Sequence, residues 1–141
     1  MACPYFEPRA SVMDSRWGTP ARLPLGDAHV GVCRSPLNGP REMDNFDLRG
    51  FDLCNMGYAR GRCRSFPEDA AADAVRFSVS HDDARLVRIQ FIMEREHTPL
   101  EHGVLEYAIE SGTFPGGGPE TLVHRQARMF AESYLRRKAI A

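Results

Sequence analysis

The sequence has no apolar run that approaches the length of a membrane span, and it has no excess of either charge. A helix needs about 20 consecutive apolar residues to cross a bilayer, so we expect a protein that stays out of the membrane. Its 18 basic and 19 acidic residues give a formal net charge of −1, which argues against a surface devoted to nucleic acid. The first residues also lack the apolar core of a secretory signal, and we therefore expect a cytoplasmic protein.

The familiar signatures of several enzyme classes are missing as well. No G-x-S-x-G nucleophile motif is present, and the histidines do not form a His-x3-His pair. The glycine run at Gly116–Gly118 lacks the Lys-Ser/Thr pair of a phosphate-binding loop, and we interpret it as a linker. The sequence therefore leaves open whether the protein is an enzyme.

The chain does contain four cysteines, and all of them fall in its first half, at Cys3, Cys33, Cys54 and Cys63. In a reducing cytosol, two structural disulfides are not expected. Four thiols confined to one half of a chain favour ligation of a metal or a metal cluster over inert burial in a core. These four cysteines are therefore the candidate metal ligands.

The spacing of the cysteines is C-x29-C-x20-C-x8-C, which contains no C-x2-C pair. Most structural zinc modules have such a pair, so its absence weakens the case for zinc without removing it. The C-x2-C-x2-C run of bacterial ferredoxins is absent too. An iron–sulfur cluster is larger than one ion and accepts thiolates from separate loops, so the spacing is compatible with a cluster although it matches no common template.

The residues around the cysteines suit a negatively charged cluster. Gly57 and Gly61 lie between the last two cysteines, and they permit positive φ angles that bring backbone N–H groups close to cluster sulfurs. Guanidinium groups beside the ligands would offset the charge of the cluster and lower the pKa of the thiols. The arginines that flank the cysteines in sequence are Arg34, Arg60, Arg62 and Arg64.

The chain divides at about residue 70 into two regions of different character. Residues 1–70 hold all the cysteines and seven of the ten prolines, and no periodicity persists through them. We expect a loop-rich region with only short helices or strands, in which a metal centre replaces a hydrophobic core. Residues 71–141 are expected to form conventional secondary structure, and the two regions to make one compact domain.

The second region predicts a small antiparallel sheet and a helix. Apolar residues alternate with polar ones over 75–79 and again over 87–93, which is typical of a hairpin with one buried face. A third strand at 104–110 is favoured, although a capping-box pattern at Thr98–Glu101 leaves a helix as the alternative. Near the C-terminus, apolar residues recur at the helical spacing, at Val123, Ala127, Phe130 and Tyr134.

Pro119 and Glu120 suit the first turn of that helix, and Arg136, Arg137 and Lys138 suit its last turn. The predicted fold class is α+β. In this fold a cysteine-rich loop region packs on a three-stranded antiparallel meander with a C-terminal amphipathic helix.

Three cysteine-containing segments carry a resemblance to a known family. They are Cys3-Pro4-Tyr5-Phe6-Glu7-Pro8, Leu23-Pro24-Leu25-Gly26-Asp27-x5-Cys33 and Cys54-Asn55-x-Gly57-Tyr58-Ala59-x3-Cys63. Together they resemble a family of short bacterial proteins to which no activity is assigned. The resemblance spans most of the chain and implies iron–sulfur binding by the four cysteines.

These observations lead to one favoured hypothesis and two alternatives. The favoured one is a small cytosolic protein that binds one [4Fe-4S] cluster through all four cysteines, for electron transfer to a redox partner protein, redox sensing or stapling of the fold. In the first alternative only three cysteines bind the cluster, which leaves an open iron site for catalysis and makes Cys3 the mobile fourth. In the second, zinc staples a protein-interaction module.

Overall fold

The computed structural model of the protein describes residues 2–11, 25, 29–43, 53–115 and 120–140. Within these residues lie two three-stranded antiparallel sheets and a long C-terminal helix, which confirms the α+β class. The strands are β1 (Phe6–Ser11), β2 (His29–Cys33), β3 (Arg41–Met43), β4 (Ala74–Asp82), β5 (Leu86–Arg95) and β6 (Thr98–Ala108), and the helix is Leu122–Ile140.

Strands β4, β5 and β6 form the predicted meander, with β5 in the centre. The alternation in the sequence follows the sheet, because Val87 and Ile89 on β5 are fully buried while Arg88 and Gln90 between them are exposed. Strands β5 and β6 are joined at Glu96 and His97, whose φ angles are 52° and 64°. Positive φ at both positions is what a two-residue hairpin of type I′ requires.

The segment that begins at Thr98, for which the sequence left both a strand and a helix open, is strand β6, so the helix alternative is wrong. β6 begins at Thr98 and is longer than the predicted 104–110. Pro99 can occupy this strand because β6 lies at the edge of the sheet and the register shifts between Met93 and Glu94, opposite the proline. Gly103 then faces Phe91 on β5, where it lies within the strand pairing and ends no helix.

The C-terminal helix packs its small residues on this sheet. Ala127 and Ala131 are fully buried and belong to one apolar cluster with Val87 and Ile89. The helix begins at Leu122, after Thr121, whose hydroxyl oxygen accepts a hydrogen bond from the His124 N–H at 3.3 Å. Glu120 therefore precedes the first turn, a difference from the prediction.

Other sequence-based assignments near this helix have mixed outcomes. Arg137 and Lys138 lie in the last turn, as predicted, and Arg136 comes just before it. Pro119 and the glycine run at Gly116–Gly118 lie outside the described residues.

The first half of the chain contains a sheet of its own, which the loop prediction missed. β1 pairs with β2 so that Phe6 lies opposite Cys33, and β2 pairs with β3 so that Cys33 lies opposite Arg41. These strands are short, and Pro8 and Gly31 interrupt the alternation that would have revealed them.

The first half also has an apolar core, contrary to the expectation that a metal centre replaces one. The buried members of this core are Ala2, Cys3, Phe6, Leu25, Leu53, Cys54, Ala59, Phe66 and Ala70. Phe77 and Phe130 stack with ring centroids 5.7 Å apart, and they contact both this core and the apolar cluster beneath the helix. Cysteines are therefore part of the hydrophobic core of the first half.

No helix among the described residues is both long enough and apolar enough to cross a membrane.

Two glycines in strands provide a test of how closely the sheets are packed. At Gly31 a Cβ atom would overlap the backbone carbonyl of Glu7 on the paired strand, whereas at Gly103 it would lie 2.6 Å from ring atoms of Phe91. A ring can turn aside and a paired backbone cannot. We expect Gly31→Ala to lower the free energy of unfolding by at least about 3 kcal/mol and Gly103→Ala by about 1 kcal/mol. Urea denaturation measures both, and equal losses would contradict the close approach of β1 and β2.

Candidate metal centre

The four cysteines lie in four separate segments, and the fold brings them together around one cavity. Cys3, Cys33 and Cys54 are buried, Cys63 is half-buried, and all four are free thiols. The cavity measures about 20 Å³, which is room for about one water molecule. The predicted ligands therefore share one nearly dry site.

Backbone hydrogen bonds join the first and third cysteines directly. The Cys3 N–H donates to the Cys54 carbonyl at 3.0 Å. The preceding residue, Ala2, exchanges two backbone hydrogen bonds of 2.8 Å with Val75 on β4. Cys54 lies in a helical turn at 53–56, which closes with a hydrogen bond from the Gly57 N–H to the Leu53 carbonyl.

Sheet pairing and side-chain amides position the second cysteine against the other segments. Cys33 ends β2 directly opposite Phe6, and the next N–H, of Arg34, donates to the Tyr5 carbonyl at 2.8 Å. At the other end of β2, the Asn55 side chain accepts from the backbone N–H of His29 and donates to its carbonyl. The segment that carries Cys54 is thus fastened to β2.

The fourth cysteine lies in a series of tight turns. The Cys63 N–H donates to the Ala59 carbonyl at 2.8 Å, and the Cys63 carbonyl accepts from the Phe66 N–H at 3.1 Å. The two glycines of this segment, Gly57 and Gly61, have φ angles of 78° and 77°. Both angles lie in the left-handed region, which is the conformation that the sequence led us to expect there.

The walls of the cavity are mainly apolar and aromatic. Tyr5 and Phe66 meet edge to face with ring centroids 5.6 Å apart. Besides the four cysteines, the lining consists of Tyr5, Ser35, Leu53, Ala59, Ser65 and Phe66. The described lining therefore offers sulfur donors without a carboxylate or an imidazole, a set that suits zinc, copper(I) or iron–sulfur clusters.

Burial and mutual repulsion oppose the ionisation of these thiols. Burial is the main cause that raises the pKa of the Cys3 thiol to about 12, and the charges of Cys33 and Cys63 raise it further. The backbone N–H of Tyr5 donates to the Cys3 sulfur and acts in the opposite direction. Burial likewise raises the pKa of Cys54, as do the other three cysteines.

The structure places two of the four predicted arginines in ion pairs away from the cavity. Arg34 directs its guanidinium to Glu7, at 3.2 Å. Arg60 forms an ion pair of 2.7 Å with Asp73, donates to the Ala70 carbonyl and lies over the Phe66 ring. These two arginines join segments of the fold.

The other two predicted arginines, Arg62 and Arg64, are exposed on either side of Cys63. With Cys63 and Phe66 they line an open cleft of about 760 Å³. Because Cys63 and Phe66 also line the cysteine cavity, this corner is where the site comes closest to solvent. A role for these arginines in offsetting charge stays a prediction.

Sequence reasoning missed an arginine that does act on a thiol. The positive charge of Arg41 lowers the pKa of Cys54 and partly opposes the effect of burial. Arg41 is eight residues from the nearest cysteine in sequence, and the pairing of β2 with β3 places it opposite Cys33. A search limited to sequence neighbours could not find it, although the turn-like Asn38-Gly39-Pro40 offered a hint of the hairpin.

Another contact missed from the sequence ties the helix to the cysteine site. Gln126 is fully buried, and its side-chain amide donates to the carbonyls of Cys3 and Phe6 at 2.8 and 2.7 Å. The helix therefore holds the turn between Cys3 and β1 in place. The sequence offered one sign of this contact, which is a glutamine on the apolar face of the predicted helix.

The placement of the donors bears on the size of the group they could hold. Among the described residues, no set of three or more His, Cys, Asp or Glu side chains is arranged to hold a metal ion. With Zn–S bonds of about 2.3 Å, a tetrahedral zinc ion holds its sulfur ligands about 3.8 Å apart. The four described thiols do not meet this requirement, and their cavity has room for about one water molecule, so a cluster would need the lining side chains to move outward.

Comparison with known proteins adds nothing to this geometry, because no family model, no curated protein and no solved structure matches the chain. The resemblance of the three cysteine segments to a bacterial family stays a prediction.

The different burial of the thiols predicts an order of chemical modification. After removal of bound metal, Cys63 should react with iodoacetamide at pH 8 at least about tenfold faster than Cys3 or Cys54, because thiolates are the reactive species and the two buried thiols keep their protons. Timed labelling followed by peptide mass spectrometry measures the rates. Guanidinium-denatured protein is the control, in which all sites should react alike. The same uniform rates in native protein would contradict the buried cavity.

Proposed function

We propose that the protein is a small iron–sulfur protein that binds one [4Fe-4S] cluster through Cys3, Cys33, Cys54 and Cys63. The observation that carries this proposal is the convergence of four free thiols, from four segments of the chain, on one apolar cavity. Inert core cysteines have no reason to share a single cavity. A shared ligand gives that arrangement a physical cause.

The sulfur donors suit zinc and iron–sulfur clusters alike, and our preference for a cluster rests on how the thiols are placed. The thiols line one cavity, yet they are not grouped as ligands of one ion. Thiolates held by separate loops suit a polynuclear iron–sulfur core. Because the cavity holds only about one water molecule, cluster binding includes an outward movement of the lining side chains.

Several residues prepare the site for negatively charged sulfur ligands. The Tyr5 N–H donates to the Cys3 sulfur, and Arg41 favours the ionised form of Cys54. Phe66 and Tyr5 exclude water from the thiols. Hydrogen bonding, charge and solvent exclusion of this kind are what tune the potential of an iron–sulfur centre.

A bound [4Fe-4S] cluster supplies one-electron redox chemistry. The half-buried corner at Cys63, beside the open cleft, gives a redox partner protein its shortest approach to the site. We therefore favour electron exchange through this corner, and the cluster also staples the first half of the chain. Redox sensing would use the same half-buried corner at Cys63, and it is the alternative role for the cluster.

The position of Cys3 argues against its use as a mobile fourth ligand. Its N–H donates to Cys54, its carbonyl accepts from Gln126, and the residue is 8% exposed. A catalytic cluster needs an open iron site, and this chain offers four thiols to fill four positions. The alternative with three ligands would therefore leave Cys63, the most exposed thiol, as the free one.

Anaerobic purification with quantification of iron, sulfide and zinc tests the proposal. We expect about four irons and four sulfides per chain and a broad absorption band near about 400 nm that bleaches on reduction. A colourless protein with about one zinc per chain would overturn the cluster and establish the zinc-stapled module. Purified protein without metal or sulfide that still folds would overturn both.

Single substitutions assign the ligands. Cys3→Ser, Cys33→Ser, Cys54→Ser and Cys63→Ser should each lower the iron content several-fold, because every thiolate is a ligand in the proposed centre. The matched control is Ser65→Ala, which alters the same cavity wall without removing a sulfur and should keep the iron. Full iron content in any one of the cysteine variants would reduce the ligand set to three and favour the catalytic alternative.

A further inference from the structure

A second cleft, separate from the cysteine cavity, is rich in arginine. It is open, measures about 490 Å³, and lies between β1, the end of β2 and the C-terminal helix. We call it the arginine cleft. Its lining residues are Glu7, Pro8, Arg9, Arg34, Arg125, Arg128 and Met129.

A buried carboxylate draws three of these arginines together. The Glu7 side chain is 3% exposed, and it forms ion pairs with Arg9 at 2.8 Å, with Arg34 at 3.2 Å and with Arg125. One carboxylate has two oxygens, whereas three guanidinium groups carry fifteen N–H donors. Glu7 therefore holds the three arginines in place, but its two oxygens can accept hydrogen bonds from only some of their N–H donors.

The charge of the cleft stays positive after all described ion pairs are counted. Glu120 forms an ion pair with Arg128 and lies 3.9 Å from Arg125. Four guanidinium groups thus face two carboxylates, which leaves an excess of two positive charges on a chain whose formal net charge is −1. Such a local excess attracts anions.

One of the arginines that line the cleft has a buried donor with no acceptor among the described residues. The Nε atom of Arg34 is buried and forms no hydrogen bond within the described part of the chain. A buried N–H without a partner is costly, and in native proteins it usually has a bound water, ion or ligand. Because this Nε is buried, an anion in the open cleft reaches it only when the guanidinium turns outward, and the charge excess is therefore the observation that carries the inference.

We propose that the arginine cleft binds a small molecule through its phosphate or diphosphate group. Guanidinium groups match phosphate oxygens in bidentate geometry, and Arg9 and Arg125, whose side chains are 56% and 40% exposed, can turn free donors toward a ligand. The volume suits a small molecule more than a bare ion. No aromatic ring is among the described lining residues, so the phosphate end carries the recognition.

This site does not depend on the proposed cluster, although the two are neighbours. Arg34 follows Cys33 directly, and Arg125 precedes Gln126, whose amide holds the Cys3 carbonyl. The two proposals can fail separately because one is measured by iron content and the other by anion binding.

Isothermal titration of the purified protein with inorganic pyrophosphate tests this proposal. We expect saturable binding with one site per chain, which weakens as sodium chloride is raised because the contacts are ionic. Arg9→Gln and Arg125→Gln should each weaken binding by about tenfold or more. The matched control is Arg88→Gln, which removes the same charge from an exposed position on β5 and should bind as the natural protein does.

Both variants are measured because Arg125 neutralises buried Glu7, so that its loss also affects folding, whereas Arg9 is mostly exposed and its loss tests binding alone. Circular dichroism shows whether each variant is folded. Iron content measured before and after the titration shows whether pyrophosphate has removed metal. Absence of saturable binding would overturn the proposal, as would equal weakening by Arg88→Gln. Succinate that binds as tightly as pyrophosphate would overturn the assignment to phosphate.

Discussion

The four clustered thiols, three of them buried, carry an electrostatic cost on ionisation that positive charge and hydrogen-bond donors must offset. A thiol that loses its water keeps its proton, and burial raises the pKa of Cys3 to about 12. Each further thiolate in the same cavity repels the first, and Arg41 opposes this only in part. The apolar walls that disfavour free thiolates would strengthen the attraction of these thiolates to a bound metal core.

The first residues of the chain connect this site to both halves of the fold. Ala2 pairs with β4 of the second sheet, Cys3 with Cys54, and Phe6 with Cys33 at the end of β2. Gln126 adds the helix through its contact with the Cys3 carbonyl. A ligand bound by the cysteines would therefore stabilise the junction between the two sheets, and metal binding and folding of the first half would be coupled.

The sequence predicted those parts of the fold that follow from local periodicity. The alternation over residues 75–93 predicted the β4–β5 hairpin, whereas Pro8 and Gly31 concealed the first sheet. The cysteine count identified a shared set of thiols, but a spacing is not a distance, and only the fold brings the thiols to one cavity. Sequence distance misleads for the arginines too. Arg34 is a sequence neighbour of Cys33 but pairs with Glu7, whereas Arg41 is farther away in sequence and strand pairing brings it to the site.

Native mass spectrometry of the anaerobically purified protein can identify a cluster bound by the four cysteines, because it weighs the bound group and the chain together. We expect one species heavier than the polypeptide by four irons and four sulfides, which loses this mass on acidification because acid releases the iron and the sulfide. A species that carries a single zinc ion, or a bare polypeptide with the mass of four free thiols, would contradict it.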